Sequence, residues 1–171
     1  MQENEGIIME DENYLFTVGH SNVDMENFLE LIRSQGIELI VDVRSSPYSK
    51  YVPQFNRENL KAKLESEGVE YEFLGDRIGG KPKDEKYYED GKVVYSLIEA
   101  DPSYMEGISQ LMELLKTRKT SLMCSEENPF NCHRHNLISQ TLLRRGFKIL
   151  HIRGNGKLEK AWMNDVQTTL I

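Results

Sequence analysis

The densest chemistry in the chain lies in one stretch, MCSEENPFNCHR (residues 123–134), which holds both cysteines, Cys124 and Cys132, with Glu126, His133 and Arg134. A thiol beside an imidazole or guanidinium loses its proton more readily and becomes a nucleophile. Either cysteine could therefore attack a substrate, with Glu126 or His133 moving the proton. The alternative is that Cys124 closes a buried strand and Cys132 packs in a turn, as cysteines often do. A strand-end cysteine before a helix also occurs in phosphate-cradling loops, which Cys124 matches better than Cys132. The nine residues between Cys124 and Arg134 are long for such a loop.

Two further clusters carry functional types. DVRSSPYS (residues 42–49) sets Asp42 and Arg44 two residues apart, hence on one face of a strand. They can serve as a base and an anion clamp, or simply hold one another. GHS (residues 19–21) supplies His20 and Ser21 as a donor pair, unless Ser21 or Asn22 merely caps a helix. A metal set of Cys124, Cys132, His133 and His20 has suitable N and S donors. It lacks a C-x₂-C pair, and adjacent helical residues diverge by ~100°, which makes a metal the lesser alternative.

These groups need a scaffold that gathers them. Nearly continuous aliphatic runs predict strands at Tyr14–Val18, Ile37–Val43, Ser121–Cys124 (with Thr120 before it) and Phe147–Ile152, and alternation predicts another at Val69–Leu74. Helical spacing falls between them, at Val23–Gln35, Arg57–Glu67, Pro102–Lys116 and from Pro129 or Cys132 to Arg145. In Pro102–Lys116 the apolar face is Met105, Ile108, Met112 and Leu115, behind an Asp101 cap. Asp76–Ala100 reads as a long loop with one short helix near Val94–Glu99. Alternating strands and helices predict a single α/β domain over residues 14–171, a mostly parallel sheet of about five strands with helices on both faces. Residues 1–13 are acidic and expected to be frayed.

In such a sheet, ligands bind beyond the carboxyl ends of the strands, where all three clusters lie. On the last helix Arg134 falls on the sheet-facing side with Ile138, Thr141 and Leu142. His133 falls at its edge, and Cys132 points away if helical. A buried arginine at a helix N-terminus needs a partner. That partner is either a ligand anion, held with Arg44, His20 and Ser21, or the carboxylate of Asp42 or Glu126.

Taken together, TVGHS (residues 17–21), DVRSSPYS, EYEFLGDRIGG (residues 70–80), MCSEENPFNCHR and GFKILHI (residues 146–152) resemble the family catalogued as domain of unknown function 488. The resemblance runs from about Thr17 to Arg153. It implies a compact α/β domain and marks Asp42, Arg44, Cys124, Glu126, Cys132, His133 and Arg134 as motif positions. It brings no reaction and no cofactor.

A net charge of −7 disfavours a broad grip on nucleic acid, which rests on phosphate neutralisation. No apolar run approaches the ~20 residues of a membrane span, and Met1–Glu12 lacks the pattern of a secretory signal. The expectation is a cytoplasmic enzyme or binding domain for an anionic small molecule or nucleotide. The alternatives are a module that binds nucleic acid or protein, and a metal or thiol-redox protein.

Overall fold

The computed structural model describes residues 14–164, so the fraying expected of residues 1–13 lies outside the described residues. Six strands form one sheet in the order β3-β2-β6-β1-β7-β8. They are β1 (Tyr14–Gly19), β2 (Leu39–Asp42), β3 (Glu70–Phe73), β6 (Thr120–Cys124), β7 (Lys148–Ile152) and β8 (Leu158–Lys160). All neighbouring pairs are parallel except β7 with β8. The expected five strands are present. The sixth, β8, was not anticipated: three residues of mixed polarity returning on β7 carry too little pattern to read.

The central strands β2 and β6 are buried at every position, which explains their unbroken aliphatic composition. Side chains alternate across the sheet. Ile40 and Met123 face α1 (Met25–Ser34) and α2 (Arg57–Ser66), whose Phe28, Leu29, Ile32, Leu60 and Leu64 complete one core layer. Leu39, Val41, Val43, Leu122 and Cys124 face the opposite layer, built from α5 (Pro102–Leu115) and α6 (Gln140–Arg144). On α5 the buried face is Tyr104, Gly107, Ile108 and Leu111, rotated from the expected one. Gly107 lets α3 (Gly75–Ile78) approach, and Met105, Met112 and Leu115 become the partly covered flank.

Helix α1 is capped by Asp24, which accepts from the Asn27 N–H, rather than by Ser21 or Asn22. Ser21 is displaced from that role because its backbone is left-handed (φ 48°) and its N–H reaches the Ser125 carbonyl. The stretch expected as a loop holds α3, the anticipated helix α4 (Tyr95–Glu99) and a hairpin of β4 (Tyr88–Glu89) and β5 (Lys92–Val93). Asp90 and Gly91 turn that hairpin at φ 50° and 74°, as an Asp-Gly pair favours.

This topology creates the site. After β1 and β2 the chain leaves for the α1/α2 face. After β6, which lies between them, it leaves for the α6 face. Adjacent strands whose connections part to opposite faces open a crevice at their carboxyl ends. Cys124 ends β6, beside Gly19 of β1 and one residue past the pairing of Asp42 with Met123.

Candidate functional site

Three donor atoms meet at the end of β6. The Cys132 and Cys124 sulfurs lie 3.6 and 3.8 Å from His133 Nδ1. Both thiols are free and nearly buried, as is the ring. His133 Nε2 lies 2.8 Å from the Val43 carbonyl oxygen, which can only accept. The proton is therefore on Nε2, and Nδ1 offers its lone pair to the sulfurs.

The expected continuous helix is broken here. Pro129–Asn131 form a 3₁₀ turn, Arg134–Ser139 a π-helical turn, and only then does α6 begin. Cys132 is extended (φ −129°, ψ 149°), not helical, so it turns inward beside its neighbour instead of diverging from it. The two thiols act on one another: the Cys132 thiol beside it draws Cys124 well below its ordinary value against the opposing effect of burial. The neighbouring sulfur and burial push Cys132 up. The pair thus holds one proton between two sulfurs.

Gly80 roofs this cluster. A Cβ there would stand 2.5 Å from His133 Cγ, so only glycine lets the Gly79–Gly80 turn lie on the ring. The turn is pinned by Ser45 Oγ, which accepts from the Lys81 N–H at 2.8 Å. Beside it opens a cavity of about 420 Å³ lined in part by Ser45, Gly79, Lys81, Lys83, Tyr87 and Ser103. Tyr95 also sits near the thiols, and burial raises its hydroxyl pKa.

Asp42 and Arg44 occupy the opposite face of the sheet. The guanidinium binds the carboxylate through Nε (2.9 Å) and Nη2 (2.8 Å), and Nη2 also donates to the Phe55 carbonyl. Asp42 further accepts from the Tyr71 hydroxyl at 2.6 Å and the Arg44 N–H at 3.2 Å. Four donors leave this carboxylate no free lone pair aimed at a ligand. His20 stacks on Phe55, donates from Nδ1 to the Ser21 carbonyl, and accepts from Arg44 Nη1 at 3.3 Å. Burial lowers its pKa and keeps it neutral at pH 7.

Arg134 is fully buried on the α5/α6 side. Its Nη1 donates to Thr17 Oγ1 at 2.5 Å, and Nη2 donates to the carbonyls of Glu126 and Glu127. Nε has no partner. The Glu126 contact is through its backbone, and its side chain lies on the exposed turn. Behind Arg134 runs a chain of neutral groups. Asn164 Nδ2 donates to Asn136, so its Oδ1 faces His135 Nε2–H at 3.0 Å. His135 Nδ1 then accepts from His151 Nε2–H at 3.0 Å, and His151 Nδ1 accepts from the Thr17 hydroxyl at 2.6 Å. Burial, reinforced by Arg134, pushes His151 down to about 3.

Of the residues singled out from sequence, Cys124, Cys132 and His133 are brought together. Asp42, Arg44 and His20 form a second cluster across the sheet. Arg134 stands behind the thiols with internal partners, while Ser21 and Glu126 lie in the turns above. Sequence reasoning missed the Val43 carbonyl, Gly80, Tyr71, Tyr95 and Thr17. Tyr71 was readable from the alternation of its strand, and the Gly79–Gly80 pair marked a turn. What the turn covers depends on the fold alone.

A family model described as "Domain of unknown function DUF488" matches residues 24–141, which include the DVR and CHR motifs but not TVGHS or GFKILHI. No curated protein and no solved structure matches the chain. Among the described residues no helix is long and apolar enough to cross a membrane.

Proposed function

The chain belongs to the DUF488 domain family, whose description carries no reaction, and from the site we propose a thiol-dependent enzyme acting on a small anionic molecule. Cys124 is the nucleophile and His133 the acid–base partner. Because the sulfurs share one proton, Cys124 attacks an electrophilic centre as the thiolate, and the proton held by Cys132 passes through His133 Nδ1 to the leaving group. Arg134 supplies a buried positive charge behind the pair. Arg44, His20 and Asp42 brace the neighbouring loops, and Lys81 and Lys83 beside the 420 Å³ cavity suit an acidic substrate group. The reading takes the cell interior as its setting, where both thiols stay reduced.

One observation carries it: both sulfurs meet the single nitrogen of His133 whose lone pair the Val43 carbonyl leaves free. The test is alkylation by iodoacetamide, with adducts mapped by mass spectrometry. Cys124 reacts ahead of Cys132, and His133→Asn slows it by about 10²–10⁴-fold, the usual worth of a positioned base. Equal labelling of both cysteines, indifferent to His133, would refute the assignment.

A further inference from the structure

We propose that Cys124, Cys132 and His133 form a binding site for a thiophilic divalent cation of the zinc class, with a fourth coordination position left open. The inference goes beyond the nucleophile reading, since it needs only the three donor atoms and no attack by sulfur.

The geometry of the donors carries it. All three atoms lie within 4.8 Å of one another, and all three residues are buried. Zinc binds sulfur at about 2.3 Å and imidazole nitrogen at about 2.0 Å in tetrahedral array. Those lengths place a sulfur and a nitrogen about 3.5 Å apart on one ion. The observed Sγ–Nδ1 separations are 3.6 and 3.8 Å. Both sulfur–nitrogen pairs therefore match the span across one ion to within about 0.3 Å.

The surroundings match what such a site requires. A ligating imidazole usually donates its other N–H to a carbonyl, which fixes the ring and raises its basicity. His133 Nε2 does so to Val43, at the end of the neighbouring strand. The sequence-level objection, that consecutive helical residues diverge, does not apply because Cys132 is extended.

His20 does not complete the set. Its two ring nitrogens are engaged by the Ser21 carbonyl and Arg44. Among the described residues the cluster stops at three ligands. Structural zinc sites close with four protein ligands, whereas three leave a position for water or substrate. On binding, the cation displaces the proton shared by the two sulfurs to solvent and takes the His133 lone pair, so the loaded state has no free nucleophile.

The experiment uses the full chain, reduced and stripped with a chelator, then titrated with Co²⁺ and afterwards Zn²⁺. The expected result is one equivalent of Co²⁺, with the sulfur-to-metal charge-transfer band and intense visible bands of a tetrahedral thiolate complex, all removed by Zn²⁺. Cys124→Ser and Cys132→Ser each weaken the charge-transfer band. Should a variant fail to fold, blocking both thiols of the wild type by prior alkylation must abolish the spectrum. Co²⁺ bound without a charge-transfer band, or binding that survives blocked thiols, overturns the proposal.

Iodoacetamide labelling in the same samples separates the two readings. Zn²⁺ slows it by at least about tenfold, since a coordinated thiolate is shielded. Fast Cys124 labelling with no Co²⁺ spectrum leaves the enzyme reading standing and removes the metal. A full Co²⁺ spectrum with sluggish, His133-independent labelling of the stripped protein does the reverse.

Discussion

Acid should weaken this fold through His151, and the size of the effect can be worked out. The ring is fully buried between Thr17 and His135. Arg134, His135 and Arg153 are the charged or titratable groups that disfavour its protonation, after burial itself. Its folded value is pushed down to about 3 from an ordinary 6.5. Between those values the unfolded chain binds the extra proton and the folded chain does not. His151 therefore adds nothing to the pH dependence above about pH 6.5, and stability is lost progressively as pH falls below it. Linkage gives a loss of about 2 kcal/mol between pH 8 and pH 5 from this one ring. That corresponds to about 4–8 °C in melting temperature for a chain of this size.

The assay is urea unfolding at pH 8, 6.5 and 5 for the wild type and His151→Asn. The asparagine oxygen can still accept from Thr17 but has no charge to gain. The variant should start less stable at pH 8, having lost the bond to His135, yet fall by about 2 kcal/mol less on acidification. His20 and His135, both lowered chiefly by burial, add slopes of the same sign in both proteins. Parallel stability–pH curves for the two proteins would show that His151 is not held neutral by its burial.

Three other outcomes follow from packing. Gly80→Ala forces the Gly79–Gly80 turn off the His133 ring; thiol alkylation should change by more than tenfold while the far-UV spectrum stays native, and an unchanged rate would mean the turn does not bear on the site. Tyr71→Phe removes the 2.6 Å bond to Asp42 and should cost about 1.5–3 kcal/mol in urea unfolding, as for a hydrogen bond to a charged group. Gly91→Ala strains a residue at φ 74°, where an added Cβ would meet no other described residue within 4 Å; a loss of about 1 kcal/mol with unaltered thiol chemistry is expected by the same two assays.

The sheet was legible because parallel central strands are buried on both faces. Leu39, Ile40 and Val41, like Leu122, Met123 and Cys124, put apolar side chains on both faces of the sheet. Helix α5 was legible through its Asp101 cap and Pro102, although the face it buries was not. Strand β8 and the β4–β5 hairpin escaped because two or three residues carry no periodicity, though Asp90-Gly91 was a usable turn signal. The site was legible as a set of types at strand ends, but not as contacts. Treating residues 132–145 as one helix pointed Cys132 outward; the π-helical turn and the extended Cys132 bring it in. Arg134 was correctly read as buried. Its partners are a hydroxyl and two carbonyls, which have no sequence signature.

That π-helical turn has an evolutionary corollary. Its carbonyls bond five residues on rather than four, and Ser139 Oγ takes the Arg134 carbonyl within the same turn. A lineage that lost one residue between Arg134 and Ser139 could recover an ordinary helix at no cost to its backbone pairing. The deletion would, however, swing everything upstream by about 100°, and His133 would carry Cys132 away from Cys124. Length in this segment should therefore be immutable where the chemistry is retained, and free to drift where only the scaffold survives.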